Sequence, residues 1–453
     1  MRAFTLLWFG QLVSLLGTSV TWFALTIWAW QETGQATALA LVGFFSFLPV
    51  VLVSPFAGVF VDRWSRKSIL IGSDLAAGLS TVLLFVLYTS GNLALWHIYL
   101  IAVFTSAVES FQLPALSASI TMMVPKAQRP RANGMRSVAS SVSQIGAPIL
   151  AGILLAFQGL QTIFIIDIVT FCFAVLTLLF IAIPQPKKEP GLEDKPTSIW
   201  QEAVNGLRYI LERRSLLGLT IVFVCLNFLA MLGLVVLDPM ILARTGSDEV
   251  VLGTVRSVLG IGGLAGGLLI SIWGGPKRKI YGTVLGIVGA SLSMAALGLG
   301  QSTTVWFVAG FSMLFFIPMI DAFALAIQQS KVPPAVQGRV FATSRAFSQI
   351  GTMLAFLLSG FLADLVFEPS LMPGGALTNL FGWLVGTGAG AGMGLMLFFS
   401  GLLGAAVGVG ALLYRPVRNI EALLPDHHEL DEPSYGEIEV SGETLPSTHP
   451  FET

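Results

Sequence analysis

Charged side chains are scarce in this chain. Asp, Glu, Lys and Arg together make up 11% of its 453 residues, whereas aliphatic and aromatic residues make up 55%. A soluble protein carries roughly 25% charged residues, so much of this surface must face something other than water. A bilayer core about 30 Å thick is crossed by about 20 apolar residues of helix. The composition therefore favours a protein that lies in the lipid bilayer.

Cysteine is also scarce, and its placement argues against several kinds of site. Cys172 and Cys225 each lie inside an apolar run, which is typical of buried thiols rather than of a disulfide or a metal site. A net charge of −1 gives no indication of nucleic-acid binding. The chain has no G-x-x-x-x-G-K-[ST] loop for a nucleotide, and we find no nucleophile–base pair. We expect no metal, no cofactor, no nucleic-acid partner and no enzymatic activity.

Long apolar runs recur along the chain, and twelve are long enough to cross a bilayer as helices. In lipid each segment must satisfy its own backbone hydrogen bonds, and these runs are too long and too uniformly apolar for the strands of a barrel. The first run has no small-residue cleavage site behind it, so we interpret it as a retained helix rather than a signal peptide. The predicted spans are 4–30, 37–61, 68–90, 94–124, 133–158, 161–183, 215–243, 249–273, 280–300, 304–330, 338–366 and 388–414.

Lys and Arg predict how these spans are oriented. Cytoplasmic connections of membrane proteins carry an excess of basic residues. When the N-terminus is placed inside, all of the 24 basic residues except Arg244 and Arg256 fall at the inner ends or in the inner connections. This asymmetry predicts that both termini are cytoplasmic.

The longest polar segment between two spans follows the sixth span and divides the spans into two sets of six. The predicted units are an N-terminal six-helix bundle over 1–183, a cytoplasmic connection with an amphipathic helix over 184–214, a C-terminal six-helix bundle over 215–414, and an acidic tail over 415–453 that we expect to be disordered. The halves also share a motif, because SQIG occurs at Ser143–Gly146 and again at Ser348–Gly351. Duplicated halves around a central site are the plan of many secondary transporters.

The connection between the second and third spans is unusually charged. It reads GVFVDRWSRK, Gly58–Lys67, and it lies between two apolar runs. This string resembles the loop signature of the major facilitator superfamily, G-x-x-x-D-[RK]-x-G-[RK]-[RK], with Ser65 in place of the usual Gly. The wider sequence is similar to the macrolide-efflux and enterobactin-exporter branch of that superfamily. The similar strings are GVFVDRWSRKSILIGSDL, VPKAQRPRANGMRS, IDIVTF, QGRVFATS and LSGFLAD. The resemblance covers about residues 4–420.

The resemblance implies a fold and a gating role for this loop. The fold is an all-α membrane protein with twelve transmembrane helices in two pseudo-symmetric six-helix bundles. By resemblance Asp62 and Arg66, with Arg63 and Lys67 beside them, form a latch that holds the cytoplasmic ends together when the outside is open. The alternative is that the loop only sets topology, although topology does not require Asp62.

Two acids inside the predicted spans are candidates for proton coupling. A charge at mid-bilayer costs about 2.5–3.5 kcal/mol, so Glu109 in span four and Asp321 in span ten are expected to face a cavity. Burial favours the neutral form of a carboxyl group, which allows such a group to take up and release a proton. The alternative is a structural acid that is hydrogen-bonded to a neighbouring helix. In the family spans one, four, seven and ten line the cavity, and the predicted lining side chains are Gln11, Ser14, Thr18, Thr21, Thr105, Gln112, Asn227, Met231 and Gln328.

Three other charged residues inside the spans are assigned structural roles. Asp238 and Arg256 lie near the outer ends of adjacent spans and are predicted to form an ion pair. Asp167 in span six lies close to the outer surface, and the surrounding IDIVTF is family-like.

Span five carries IGAPILAG, which resembles the family's antiporter motif, although Ala147 separates the usual Gly-Pro pair. Pro148 removes a backbone hydrogen bond and bends the helix. Gly146 and Gly152 are expected to let span five approach span eight closely, against the GIGGLAGG of Gly260–Gly267. The motif favours an exporter. The alternative is that these residues serve only to pack the two helices together.

These observations lead to a prediction of function. We expect a monomeric secondary transporter in the inner membrane of a bacterium, which exports amphipathic small molecules in exchange for protons. The substrate class is a drug or a secondary metabolite such as a siderophore or a peptide. Two alternatives stay open: an importer of a lipid or nutrient on the same fold, and a membrane sensor or partner protein that kept the fold without transport.

Overall fold

The computed structural model describes residues 2–125, 128–181 and 207–423 of the chain, and this part is almost entirely helical. The helices of at least eight residues are α1 (Arg2–Thr33), α2 (Ala36–Arg63), α3 (Arg66–Thr89), α4 (Leu95–Met123), α5 (Arg129–Phe180), α6 (Arg214–Leu234), α7 (Leu237–Thr245), α8 (Glu249–Trp273), α9 (Lys279–Leu299), α10 (Thr303–Lys331), α11 (Pro334–Leu362), α12 (Thr378–Val385) and α13 (Ala391–Leu413). We call the end of the molecule where α1 begins and α2 meets α3 the basic end, because Arg2, Arg66 and Lys67 lie there, and the other end the far end.

Helix α5 contains two membrane crossings joined at Gly159. Its 52 residues are interrupted there by non-helical dihedrals, φ 76° and ψ 172°, a region that glycine adopts without a steric penalty. Before the bend the chain runs parallel to α1, since Trp8 donates to the Met135 carbonyl and Leu16 lies next to Gly146. After the bend it runs antiparallel, since Gly10 packs against Thr177 and Gly17 packs against Thr170. Within the described ranges, eleven helical segments are long and apolar enough to cross a membrane, and α5 supplies two crossings, so each of the twelve predicted spans has a counterpart there.

The predicted seventh span is broken rather than continuous. Helix α6 ends at Leu234 and α7 begins at Leu237, with two turn residues, Val235 and Val236, between them. Pro239 lies in the first turn of α7, where its missing N–H is tolerated. The break separates Asp238 from the rest of the span and places it in the first turn of α7.

The long connection before the last crossing contains a short helix. Helix α11 continues through a π-helical turn, Ala363–Phe367, and a further turn, Glu368–Leu371. Helix α12 follows, and its Trp383 is 79% exposed. The chain then turns through glycines with positive φ, including Gly386 and Gly390, before α13 begins. Positive φ is accessible to glycine at little cost, which explains the glycine-rich composition here.

Two bundles of helices are joined along two seams. Helices α1 to α5 pack on one another, and α6 to α13 do the same. The close pairings between bundles are α5 with α8 and α2 with α11. Many large apolar side chains remain exposed on the outside of the bundles, such as Phe157 and Ile272 at 80% and 87%, which is the pattern of a surface in contact with lipid.

The segment that follows α13 differs from the prediction for the tail. Residues 415–423 form two helical turns, Arg415–Arg418 and Ile420–Leu423, rather than the beginning of a disordered tail. Val417 and Ile420 are fully buried, and the Glu421 carboxylate accepts a hydrogen bond of 2.9 Å from the Lys279 backbone N–H at the start of α9. Apolar burial and this helix cap hold the segment against the bundle. The rest of the predicted tail and most of the predicted amphipathic helix lie outside the described residues.

Candidate functional site

A cavity of about 460 Å³ lies within the first bundle. Helices α1 and α4 line it as predicted, and α3 and both arms of α5 line it as well. Its polar wall includes the predicted residues Gln11, Ser14, Thr18, Glu109 and Gln112. The Glu109 side chain is accessible, and its accessible surface faces this cavity. The walls otherwise carry mainly apolar side chains, so the cavity suits a ligand that is itself largely apolar.

Sequence reasoning missed Asp74, which lies at the centre of the polar wall. This carboxylate is 6% exposed and accepts hydrogen bonds from Gln11 Nε2 at 2.7 Å and from Gln112 Nε2 at 2.8 Å. The signal was present, because a lone charge inside an apolar span generally faces a cavity or a partner. Gly78 and Thr81 follow Asp74 at helical spacing on the same cavity wall.

Asp167 lies deeper in the same bundle and is held by threonines. It is 1% exposed, and it accepts hydrogen bonds from Thr18 Oγ1 at 3.1 Å and from Thr81 Oγ1 at 2.9 Å. The Thr21 hydroxyl lies near the same carboxylate. Thr21 and Thr105, both predicted to line the main cavity, instead line a small neighbouring cavity of about 10 Å³.

A second cavity, of about 310 Å³, lies in the other bundle. Asn227 and Met231 of α6 line it together with Asp321 of α10, as predicted, and Leu234 lines it as well. Residues of α9 and α13, such as Met294 and Ser400, complete it. The predicted lining residue Gln328 is half-buried further along α10 and lies outside the wall of this cavity. These two cavities therefore lie one in each bundle, whereas the prediction described one cavity shared by four helices.

The seam between α5 and α8 is built on small residues. A Cβ atom added to Gly253 would lie 2.3 Å from the Pro148 carbonyl oxygen, and one added to Gly152 would lie 2.5 Å from the Glu249 carbonyl oxygen. The two helices therefore touch main chain to main chain, which only glycine permits. Gly146 contacts Leu16 of α1 rather than α8.

The prediction that GIGGLAGG faces span five is only partly correct. Gly260 does meet Ile145 of α5. Gly262 and Gly266 instead face the backbone of α10, at the carbonyl oxygens of Phe311 and Phe315. The reason is helical geometry, because residues two and six positions after Gly260 lie on a different face of α8.

The seam between α2 and α11 lies at the same depth. Gly43 packs against Phe356, and Gly360 packs against the backbone of Thr37. Asp364 accepts hydrogen bonds from the Ala36 and Thr37 backbone N–H groups at 3.0 and 2.8 Å, so it caps the first turn of α2. All of these contacts, like those of the α5–α8 seam, lie in the half of each helix nearer the far end.

The predicted partners Asp238 and Arg256 are in contact. Arg256 Nε lies 2.6 Å from Asp238 Oδ1, and both side chains are mostly buried. Sequence reasoning did not anticipate a second polar cluster at the far end. There Arg244 donates to the Gly300 and Val385 carbonyls, and Glu368 accepts from the Gly392 N–H at 3.1 Å, at the start of α13.

The charged loop between α2 and α3 makes specific contacts at the basic end. Arg66 Nη1 donates to the Ala118 carbonyl at 3.1 Å, and Lys67 Nζ donates to the Leu179 carbonyl at 2.9 Å. These bonds tie the loop to the ends of α4 and α5. The side chains of Asp62 and Arg63 lie outside the described part of the structure, so the Asp62–Arg66 latch stays a prediction.

Within the described residues, twelve apolar crossings in two bundles with a cavity in each define a multi-pass membrane protein. The comparison with family models places residues 7–356 in the Major Facilitator Superfamily. The chain belongs to this family. This confirms the resemblance that the loop sequence suggested, and with it the fold class.

Curated relatives share most of their length with this chain. Macrolide efflux protein A of Streptococcus pyogenes is 27% identical over 80% of this chain and 89% of its own. Macrolide efflux protein A of Enterococcus faecalis is 26% identical over 68% of this chain and 95% of its own. Multidrug efflux pump Tap of Mycolicibacterium fortuitum is 23% identical over 79% of this chain and 87% of its own.

Solved structures share the fold. The nucleoside transporter NupG matches with a TM-score of 0.68 at 11% identity, over 90% of this chain and 98% of its own. A bacterial homologue of the lysosomal transporter Spinster, in an inward-facing and occupied conformation, matches with a TM-score of 0.66 at 16% identity, over 92% of this chain and 98% of its own. At these identities the likeness concerns the fold alone.

Proposed function

We propose that this protein exports amphipathic small molecules across the bacterial inner membrane in exchange for protons. It acts as a monomer, by alternating access of its cavities to the two sides. The observation that carries the proposal is the cavity of the first bundle, which combines apolar walls with the accessible carboxyl group of Glu109. The relatives named as macrolide and multidrug efflux proteins support export of drug-like compounds, and a secondary metabolite such as a siderophore or a peptide has the same amphipathic character.

The distribution of basic residues supports an orientation with both termini in the cytoplasm. Arg66, Lys67 and Arg129 lie at the basic end, and Lys and Arg are enriched on the cytoplasmic side of membrane proteins. The seams join the bundles near the far end, which in this orientation is the outer end. The structure then corresponds to a state that is closed outside and opens toward the cytoplasm.

Substrate binding follows from the walls of the first cavity. Trp8, Phe4 and Phe171 offer apolar surface, and Gln11 and Gln112 offer amide groups beside it. A few polar groups in an apolar cavity fix the orientation of a ligand, while most of the affinity comes from burial of its apolar surface. A cavity with this combination accepts molecules of varied shape that carry both apolar and polar groups.

Coupling follows from the acids that line the two cavities. Glu109 lines the first cavity and Asp321 the second, and each is accessible from its cavity. Substrate entering from the cytoplasm displaces the proton from Glu109. A proton arriving from outside then restores the neutral form and favours the return of the empty carrier, because a neutral carboxyl group is cheaper to enclose than a carboxylate. Asp321 serves as a second site for the proton.

Accumulation of fluorescent dyes and macrolides in efflux-deficient bacteria tests the proposal. Cells with the wild-type protein should accumulate less than empty cells, and a protonophore should abolish the difference. Glu109→Gln should remove it as well. Glu32→Gln is the matched control, because Glu32 is an exposed acid near the far end of α1. No difference from empty cells across a broad panel would contradict export, and raised accumulation would indicate an importer.

A further inference from the structure

The polar wall of the first cavity contains a closed ring of hydrogen bonds between side chains of three helices. Asp74 of α3 accepts from Gln112 Nε2 of α4 at 2.8 Å through Oδ1, and from Gln11 Nε2 of α1 at 2.7 Å through Oδ2. Gln112 Nε2 also donates to Gln11 Oε1, at 3.3 Å, and this longer bond closes the ring. We call these three side chains the carboxylate–amide ring.

The carboxylate of Asp74 fixes the orientation of both amides. A carboxylate only accepts hydrogen bonds, whereas a side-chain amide has a donor end and an acceptor end. Each glutamine must therefore turn its NH₂ group toward Asp74. The Gln112 nitrogen uses both of its hydrogens within the ring, one on Asp74 and one on Gln11. The carbonyl oxygen of Gln112 is left to point out of the ring.

An amide in the place of Asp74 could not close this ring. An asparagine there would offer one oxygen and one NH₂ group instead of two oxygens. Whichever way the two glutamine amides are then turned, one of the three contacts joins two donors or two acceptors. The ring would open, and neither glutamine would be held in one orientation. The acid on α3 thus decides how side chains on α1 and α4 are presented.

The carbonyl oxygen of Gln112 is available to a ligand. Gln112 is half-buried and lines the first cavity. Among the described residues none donates a hydrogen bond to its Oε1, and this oxygen is not one of the buried polar atoms that lack a partner. It is therefore an accessible acceptor in the cavity wall, held in place by the carboxylate–amide ring.

We propose that Asp74 is a positioning residue for substrate recognition, and that the first cavity selects amphipathic molecules that carry an N–H or O–H donor. The donor binds to the carbonyl oxygen of Gln112. An acceptor that is already ordered binds more tightly than a mobile one, because no side-chain freedom is lost on binding. A molecule of the same shape without the donor leaves this oxygen unpaired, which is unfavourable. The inference rests on the proposed function, since it concerns the substrate of the same cavity.

Binding of two matched rhodamine dyes to the purified full-length protein in detergent tests the inference, with fluorescence anisotropy as the measurement. Rhodamine 6G and the ethyl ester of rhodamine B are both cationic xanthene esters of similar size. Rhodamine 6G carries N–H groups, whereas both nitrogens of the other dye are fully alkylated. Because the dyes have the same charge, the ratio of their dissociation constants isolates the hydrogen bond. The wild type should bind rhodamine 6G roughly tenfold more tightly.

Two variants separate the acceptor from the residue that positions it. Gln112→Met removes the oxygen while keeping a side chain of similar length, so the two dyes should bind about equally. Asp74→Asn keeps the oxygen but opens the ring, and the preference for rhodamine 6G should fall roughly threefold. A purely structural role of Asp74 would change the amount of folded protein and leave the ratio as it is.

Gln161→Met is the control for these variants. Gln161 is exposed on α5 and lies outside the wall of the cavity. The ratio of the two dissociation constants in this variant should equal that of the wild type.

Equal affinities of the wild type for the two dyes would overturn the inference, because no acceptor in the cavity would then distinguish them. An unchanged ratio in Gln112→Met would overturn the role of the Gln112 oxygen, and an unchanged ratio in Asp74→Asn would overturn the role of Asp74. Export would stand in these cases, because the accumulation assay measures it separately. A wild type that binds neither dye would contradict the proposed function together with this inference.

Discussion

Asp364, near the end of α11, caps the first turn of α2 in the other bundle. Its Oδ2 accepts a hydrogen bond of 2.8 Å from the Thr37 backbone N–H, and its Oδ1 accepts one of 3.0 Å from the Ala36 N–H. The positive end of the α2 dipole adds to the attraction. The Asp364 carboxylate therefore joins the two bundles at the far end, at a seam that must open if the far end is to become accessible.

We predict that Asp364→Ala shifts the molecule away from the conformation described here. Loss of a helix cap costs about 1 kcal/mol, which corresponds to roughly a fivefold change in the balance of two conformations. Spin labels at Gln35 and Met372, with Cys172 and Cys225 replaced, report the distance across the seam. The distribution should move toward longer distances in Asp364→Ala.

Asp248→Ala is the control for this experiment. Asp248 also caps a helix, since its Oδ1 accepts from the Val251 N–H at 2.9 Å, but both residues belong to the second bundle. It should lower stability without changing the distance distribution. Equal shifts in the two variants would mean that Asp364 does not act as a link between the bundles.

We predict that Gly253→Ala destabilises the protein. The added methyl group would lie 2.3 Å from the Pro148 carbonyl oxygen, and a backbone atom cannot move aside as a side chain can. Overpacking of this kind costs about 1–3 kcal/mol. Gly267→Ala is the control, because nothing lies within 4 Å of a Cβ atom there. Thermal unfolding should show a lower midpoint for Gly253→Ala and an unchanged or higher one for Gly267→Ala, and identical midpoints would contradict a tight seam.

We predict that Asp238 and Arg256 are energetically coupled. Removal of either partner, in Asp238→Asn or Arg256→Gln, leaves the other charge mostly buried and unpaired. The double variant should therefore be less destabilised than the two single variants added together. A double-mutant cycle on thermal unfolding should give a coupling of about 1–3 kcal/mol. Simple additivity would show that the contact contributes nothing to stability.

We predict that Asp74 and its two glutamines form one unit. In Asp74→Asn an NH₂ donor replaces one of the two carboxylate oxygens, so the side-chain amide of Gln11 or Gln112 loses its acceptor. The loss should lower the free energy of unfolding by about 1–3 kcal/mol. Replacing all three groups by apolar ones, as Asp74→Leu with Gln11→Met and Gln112→Met, should restore much of the lost stability. A triple variant that is less stable than the single one would show that the three side chains act independently.

The parts of the molecule that were predictable are those that depend on local composition. Each span is an apolar run whose own length decides whether it can cross lipid, so even the crossings hidden within α5 were located from the sequence. The pairing of Asp238 with Arg256 was also accessible, because two charges near one end of adjacent spans have few other partners.

What was missed depends on which helix faces which. Asp74 has partners on α1 and α4, and Asp364 caps a helix 327 residues earlier in the chain. Spacing within one helix cannot predict such pairings, because they depend on the packing of several helices at once. The same holds for Gly262 and Gly266, whose neighbours belong to α10 rather than to α5.

The main-chain contact between α5 and α8 has a mechanical consequence. Where side chains interlock, one helix can turn against another only if rotamers change and cavities open. At Gly152 and Gly253 there are no side chains to disengage, so this part of the seam can turn without a change of rotamers. The α2–α11 seam is held by polar contacts instead, where Asp364 caps the first turn of α2. Rocking of the bundles therefore meets different kinds of resistance at the two seams, and Asp364 is a carboxylate whose bonds must break when the α2–α11 seam opens.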